Sequence, residues 1–465
     1  MAEAGGAPLE LGTSRIGKLL RQYAVPSIIA STASSLYNMV DSIFIGHMPG
    51  EGSLSLSALA VSFPLMNLST ALGTLVGVGA ATMVSVYLGQ KNYKAASMAL
   101  ANVLSLNTII SLLFMAVMLL FLDPVLMFFG ASQNTLPFAR DYMTIILLGN
   151  VITHLYFGLN NLIRASGHPK LAMGLTIFTV TTNAILDPIF IYVLGMGIKG
   201  AALATVICQA LALVGTMRFF MDKKNFLHFP KGLFKLDLKI ARDCMAIGMG
   251  PFLMNAAACL VTMFINQQLG KYGGDLAIAA YGIINRITFL FMMIVMGLTQ
   301  GMQPIAGYNY GAGLYSRVRE VFSLTVKWAL LVTTAAFLVS ELAPSVAVGM
   351  FTSDPSLKDI AVHGLRVMNC AFALVGFGMV TGNFFQCLGL VRISIFLSLS
   401  RQLIFLVPLI YFLPLFFSET GVWLSFPISD ILSVIVSAIM LSRLFRKFKL
   451  IESGKAEPSI LGSQI

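Results

Sequence analysis

Two aspartates lie inside long apolar segments of this chain, where an ionised side chain is costly. Asp41 lies within Pro26–Ile45 and Asp187 within Leu171–Leu194. Both segments are long enough to cross a bilayer, which takes about 20 apolar residues. An ionised Asp at the bilayer centre costs about 2.5–3.5 kcal/mol. Such acids usually face a water-filled cavity and hold a proton or a cation, so the sequence points to ion-binding chemistry.

Further oxygen ligands accompany the first acid. Tyr37 precedes Asp41 by four residues, and Asn38 follows Tyr37 directly. Residues four apart lie on one face of a helix, so Tyr37 and Asp41 are predicted to share a face with Asn38 beside them.

The second acid has the same arrangement. Asn183 precedes Asp187 by four residues, and Pro188 follows it. Proline has no backbone N–H, so the carbonyl of Ala184, one turn earlier, is predicted to lose its helical partner. Thr205 in the next apolar segment would add a hydroxyl group.

These groups form an oxygen-rich set that suits a proton or a small hard cation such as Na⁺. Desolvation and a neighbouring acid both favour the protonated form of a carboxyl group. We therefore predict a cation-coupling site whose occupancy changes the charge of the N-terminal half and so biases its conformation. The alternative is an acid paired with a buried arginine or capping a helix, although neither apolar segment contains Lys or Arg. The predicted site residues are Tyr37, Asp41, Asn183, Asp187 and Thr205, with Na⁺ bound by the last four if Na⁺ is the ion.

A second set of residues is predicted to line a substrate cavity, namely Asn38, Met39, Arg286 and Asp430. Asp430 follows Pro427, so it either lines this cavity or bonds to backbone at a helix break. Arg286 and Arg401 would pair with substrate or with Asp430, or extend to the membrane surface. His154 is expected to be a hydrogen-bonded histidine of the helix bundle.

The composition defines the class of protein. Of 465 residues, 57% are hydrophobic and only 11% are charged, against about 25% charged in soluble proteins. The chain is therefore predicted to be a multi-pass membrane protein. Its net charge of +11 resides largely in short loops between apolar spans, which indicates membrane topology and lipid headgroup contacts rather than nucleic-acid binding.

We expect about twelve membrane spans. Their approximate ranges are 22–45, 58–86, 96–121, 137–163, 170–194, 200–220, 243–269, 277–304, 320–342, 360–388, 393–416 and 421–442. Lys and Arg concentrate in the loops after even-numbered spans, which predicts that both termini and the central loop are cytoplasmic. The protein is expected in the inner or plasma membrane, as a monomer.

The two halves of the chain repeat each other. Asn161-Leu-Ile-Arg-Ala-Ser-Gly167 matches Asn383-Phe-Phe-Gln-Cys-Leu-Gly389 at a spacing of 222 residues. The copies have the same span parity, which predicts an all-α fold of two six-helix bundles related by a pseudo-two-fold axis along the membrane normal. The predicted domains are residues 16–221 and 243–445, joined by a cytoplasmic linker at 222–242.

Two motifs resemble those of a known family. The run from Pro26 through Tyr37-Asn38-Met-Val-Asp41 to Gly46 resembles the first-span signature of multidrug and toxic compound extrusion (MATE) transporters. The run Arg164-Ala-Ser-Gly167-His-Pro169, followed by Asn183-Ala-Ile-Leu-Asp187-Pro188, is similar to the fourth-to-fifth-span signature of that family. The resemblance covers nearly the whole chain.

The resemblance is to the DinF-like and MepA-like branch, which keeps its acids in the N-terminal half. The NorM-like branch has acids in its seventh and tenth spans, whereas the corresponding segments here, 246–269 and 361–389, have none. The resemblance implies a secondary antiporter, not an enzyme, that exports organic and often cationic compounds in exchange for H⁺ or Na⁺. It implies no cofactor beyond that ion.

Three alternatives remain from the residues. A flippase for lipid-linked precursors would need cationic residues along its lumen, whereas the N-terminal half offers acids. A membrane enzyme would need paired Asp-rich motifs or His-Glu-x-x-His, and the sequence has neither. A facilitative channel would show no dependence on an ion gradient. The sequence leaves open the compounds transported and the choice between H⁺ and Na⁺.

Overall fold

The computed structural model describes residues 10–48, 52–229, 236–352 and 354–455, except for the side chains of residues 36–39, 53 and 275. Residues 230–235 of the predicted linker lie outside this part. All regular secondary structure within it is helical. Ten helices are long and apolar enough to span a membrane, and two bent helix pairs raise the number to twelve. The predicted all-helical membrane fold with twelve spans is confirmed.

The first six spans occupy the N-terminal half of the chain. They are α1 (Ile16–Gly46), α2 (Gly52–Gly89), α3 (Tyr93–Leu120), the bent α4 (Leu136–Leu148 and Asn150–Ala165), α5 (Pro169–Pro188) and α6 (Ile198–Met221).

The other six spans occupy the C-terminal half. They are α7 (Leu238–Gly274), α8 (Leu276–Gly311), α9 (Tyr315–Leu342), the bent α10 (Pro355–Asn369 and Phe372–Cys387), α11 (Val391–Phe412) and α12 (Pro414–Glu452).

The internal repeat is visible in where the helices begin. Four pairs of helical segments start 222 residues apart, at Ile16 and Leu238, Tyr93 and Tyr315, Asn150 and Phe372, and Pro169 and Val391. The bent helices also correspond, since α4 turns by 55° and α10 by 53°. Both halves therefore build the same sequence of straight and broken spans.

In the described part of the chain, each half also contains one π-helical turn in its fifth span. The turn covers Ile189–Val193 directly after α5 and Ser400–Leu406 inside α11. Proline lies beside both, at Pro188 before the first turn and Pro408 after the second. A missing proline N–H disrupts the α-helical ladder, and π-turns are frequent at functional sites.

The contacts of the helices divide the chain into two units that exchange parts of α1 and α7. One unit contains residues 29–252, and the other contains residues 14–28 together with the chain from residue 253 onward. The first part of α1 thus packs within the second unit, and the first part of α7 packs within the first.

Glycines allow this exchange by bringing helix backbones very close together. A Cβ atom added to Gly79 of α2 would lie 1.9 Å from the carbonyl oxygen of Cys244 in α7. In the second unit, a Cβ on Gly301 of α8 would lie 2.5 Å from the Cα atom of Ala24 in α1. Small residues at helix contacts are the usual solution for close packing in membranes.

We predict that Gly79→Ala destabilises the protein although alanine is the better helix former. The added methyl group must push α2 and α7 apart, an overpacking that costs about 1–3 kcal/mol. The melting temperature of the detergent-purified protein should fall. The matched control is Gly174→Ala on α5, where an added Cβ meets nothing within 4 Å. The close-contact account is wrong if both alanine variants melt alike.

Candidate ion-coupling site

Asn183 and Asp187 meet on α5 as their spacing predicts. The Asn183 side chain donates its Nδ2–H to Oδ1 of Asp187 at 3.1 Å, and both residues are buried. The helix changes to its π-turn two residues later, where the N–H of Leu194 bonds to the carbonyl of Ile189 at 2.9 Å. The second acid is therefore held at the point where the regular helix ends.

Asp41 of α1 meets Asp187 inside the first unit. Asp41 is 5% exposed and Asp187 is fully buried, and their carboxyl groups are close enough to interact directly. An ionised carboxylate has acceptors only, so two carboxyl groups can hydrogen-bond to each other only when one of them carries a proton. The pair is therefore suited to holding one proton or one cation.

Three oxygen atoms of this group remain available. Oδ1 of Asp41, Oδ2 of Asp187 and Oδ1 of Asn183 are buried and have no hydrogen-bond partner within the described residues. Buried polar atoms are normally paired, and exceptions need an explanation such as an ion or a water. The three atoms are therefore candidate ligands for a bound cation.

Thr205 lies on the neighbouring helix α6 and is also buried. Its hydroxyl donates to the carbonyl of Ala201 at 3.1 Å. Cys208, three residues later on the same face of α6, lies within electrostatic range of Asp187. This places Thr205 on the same side of α6 as Cys208, and its role as an ion ligand remains a prediction.

Neither acid has a basic partner among the ion pairs of the described residues. Those pairs are Arg140–Asp123, Lys199–Asp141, Arg319–Glu452 and Arg401–Asp430. The described residues therefore do not show the alternative considered from the sequence, in which each acid is paired with a buried arginine. The candidate ligand atoms are all oxygen atoms, which suits a proton or a hard cation.

The side chains of Tyr37, Asn38 and Met39 lie outside the described residues. Their backbone belongs to α1. The roles assigned to them from the sequence remain predictions.

The buried acid of the second unit is different because it has a fixed partner. Nε of Arg401 donates to Oδ1 of Asp430 at 2.5 Å, with the Arg401 side chain 30% exposed and that of Asp430 3% exposed. Of the partners considered for Asp430, the structure shows Arg401. Arg286 lies on an exposed face of α8.

A polar network at the bend of α4 was not anticipated from the sequence. Ser69 of α2 bonds to Oδ1 of Asn150 at 2.5 Å and to Nε2 of His154 at 3.2 Å. Asn107 of α3 donates to the carbonyl of His154 at 3.0 Å. His154 was expected to be hydrogen-bonded, and its Nε2 is, whereas its buried Nδ1 has no partner in the described part of the chain.

The bend of α10 has a counterpart. Asn369, at the end of its first segment, donates to Oγ of Ser340 at 2.9 Å and to Oγ1 of Thr288 at 3.4 Å. Each broken span is thus tied to two neighbouring helices by hydrogen bonds of buried asparagines. Polar residues inside apolar segments were the available sequence signal for both networks.

Comparison with known proteins now decides the family. The MatE family profile matches residues 26–189 and 252–412, which is well over half of the chain and includes both acids. The chain belongs to the MATE family. The resemblance inferred from the two motifs is confirmed.

The similar curated proteins include several named multidrug export protein MepA. The chain is 28% identical to the multidrug export protein MepA of Staphylococcus haemolyticus over 90% of this chain and 91% of MepA. It is 27% identical to MepA of Staphylococcus aureus strain N315 over 92% and 94% of the two chains.

Solved MATE structures share the fold. The structure of DinF-BH in complex with R6G is 35% identical, with a TM-score of 0.85 over 93% of this chain and 96% of DinF-BH. An outward-facing MATE transporter of the MOP superfamily is 24% identical, with a TM-score of 0.89 over 96% and 100% of the two chains.

We predict that Arg401→Gln destabilises the protein because it leaves the buried Asp430 carboxylate without its partner. Breaking one half of a buried ion pair costs about 3–5 kcal/mol, whereas removing both charges is often neutral. The melting temperature should therefore fall in Arg401→Gln and recover in the double variant Arg401→Gln/Asp430→Asn. If the double variant melts as low as the single one, charge pairing is not what stabilises this region.

Proposed function

We propose that this protein is a secondary active multidrug antiporter, which exports bulky organic and often cationic compounds in exchange for H⁺ or Na⁺. The observation that supports this most is the buried Asp41–Asp187 carboxyl pair, with three unpartnered oxygen atoms and no basic partner among the described residues. The MepA relatives are named multidrug export proteins, and DinF-BH was solved with R6G.

The coupling follows from charge. With a proton or Na⁺ at the site, the Asp41–Asp187 pair has one net negative charge; without it, two carboxylates repel each other in a low-dielectric interior. Asp41 is on α1 and Asp187 on α5, so loss of the ion favours separation of these helices. Ion occupancy thereby biases the chain toward one conformation, and loss of the ion biases it toward another.

Asn183 and Thr205 have supporting roles in this proposal. The amide of Asn183 fixes one oxygen of Asp187 by its hydrogen bond, which leaves the other oxygen directed to the ion. The hydroxyl oxygen of Thr205 would add a neutral ligand when Na⁺ replaces the proton. No further cofactor enters the mechanism.

We also propose that the protein resides in the inner or plasma membrane with both termini and the 222–242 linker in the cytoplasm, and that it works as a monomer. The excess of Lys and Arg in the loops after even-numbered spans supports this orientation. A cysteine placed in the linker should react with a membrane-impermeant thiol reagent only after the membrane is permeabilised. Labelling in intact cells would reverse the orientation.

Substituting either acid should abolish transport without unfolding the protein. Asp41→Asn and Asp187→Asn are close in shape to the native residues but cannot exchange a proton or balance a cation. In proteoliposomes, gradient-driven efflux of a cationic dye should fall to the level of protein-free vesicles, with unchanged melting temperature. The control is Asp141→Asn, which alters an acid that is 43% exposed and paired with Lys199. Wild-type export by both variants would refute the coupling role.

Efflux should depend on an imposed ion gradient. Proteoliposomes loaded with dye are given a pH gradient or a Na⁺ gradient separately, and at least one should accelerate efflux severalfold over vesicles without a gradient. The gradient that does so identifies the coupling ion. Equal rates under all three conditions would indicate a facilitative channel.

A further inference from the structure

Arg401 lies in the middle of a membrane span. It is near the centre of α11, which runs from Val391 to Phe412, so about 15 Å of helix separates it from either end at 1.5 Å per residue. Arginines near span ends extend to the headgroups, but this one is too far from both. A charge at this depth faces protein or a water-filled cavity rather than lipid.

The ion pair with Asp430 uses only part of the arginine. Asp430 contacts Nε, and the hydrogen bonds found in the described part of the chain involve no other nitrogen of Arg401. The guanidinium has five N–H donors in a planar fork. With the side chain 30% exposed, the two Nη groups are available to a ligand, and their geometry matches a carboxylate bound through both oxygens.

Aromatic side chains pack in the neighbourhood of this ion pair. Phe426 precedes Asp430 by one turn of α12, and its ring lies 6.2 Å from that of Tyr281. Tyr281 lies within electrostatic range of Arg401. Oε1 of Gln402, the next residue in the π-turn, is buried and has no hydrogen-bond partner among the described residues.

Charge decides which carboxylates fit. The Arg401–Asp430 pair is already neutral, so a simple anion would add an uncompensated negative charge at mid-membrane depth. A compound that is zwitterionic adds no net charge and still offers its carboxylate to the fork.

We propose that Arg401 is a binding residue for the carboxylate of zwitterionic aromatic substrates, with Asp430 as the positioning residue that holds its guanidinium. This inference rests on the proposed export function and names a substrate class for it. In this proposal the π-turn at Ser400–Leu406 has a functional role, because it contains Arg401.

The test uses two dyes that differ only at the carboxyl group. Rhodamine 6G is a cationic ethyl ester, and its free acid is a zwitterion with the same ring system. Binding of each to the full-length, detergent-purified protein is measured by fluorescence anisotropy, and efflux of each is measured in proteoliposomes.

The informative variant is Arg401→Gln/Asp430→Asn, because it removes the fork without leaving a buried charge. The Kd of the free acid should rise at least about tenfold, since hydrogen bonds to charged groups contribute about 1.5–3 kcal/mol. The Kd of the ester should stay within about twofold. The matched control is Arg140→Gln/Asp123→Asn, which makes the same substitutions in an exposed ion pair and should change neither Kd.

Three results would overturn the proposal: equal weakening of both dyes, unchanged binding of the acid in the double variant, or failure of the wild-type protein to bind the acid. The ester separates this inference from the export function. If wild-type protein exports the ester but acid binding does not depend on Arg401, only the carboxylate subsite is refuted. If no gradient drives export of the ester, the export function itself fails.

Discussion

A carboxyl group inside a bilayer must be neutralised, and the two halves of this chain do so in opposite ways. In the first unit, Asp41 and Asp187 lie close to each other and have no basic partner among the ion pairs of the described residues. In the second unit, Asp430 is bound by the permanently charged Arg401. An exchangeable ion would change the charge of the first site, whereas the guanidinium of Arg401 keeps its charge. The ion coupling that we propose therefore belongs to the N-terminal half.

The internal repeat makes this contrast informative. Asp430 follows Cys208 by 222 residues, and Cys208 lies within electrostatic range of Asp187. The two buried acid sites thus occupy related places in their respective units. The same scaffold therefore carries two acids without a basic partner among the described residues in one unit, and one acid paired with an arginine in the other.

Much of the fold was predictable because the membrane imposes a simple pattern. Apolar length gave the twelve spans, and the repeat of motifs such as Asn161–Gly167 and Asn383–Gly389 gave the two halves. The breaks near Gly149 and Cys370 were not predicted, because each depends on contacts between helices distant in the sequence, such as Ser69 with Asn150. The exchange of α1 and α7 segments depends likewise on the Gly79 and Gly301 contacts. The sequence pattern predicts each helix as one continuous segment, so it shows neither the breaks nor the division of α1 and α7 between units.

The site was predictable to the extent that its chemistry is local. The four-residue spacing of Asn183 and Asp187 led directly to their hydrogen bond, and the cost of a buried charge indicated that both acids have a function. The partner of Asp430 could not be chosen, because Arg286 and Arg401 had equal standing until the helices were placed. The ion pair between Arg401 and Asp430 in the folded chain settles which one contacts Asp430.

The most direct measurement of the central claim is infrared difference spectroscopy of the purified protein in the protonated carboxyl region. The account predicts a buried protonated carboxyl signal at low pH that disappears on raising the pH or adding Na⁺. It should be missing from both Asp41→Asn and Asp187→Asn. A signal that persists in both variants, or no such signal at any pH, would contradict the shared ion between these two aspartates.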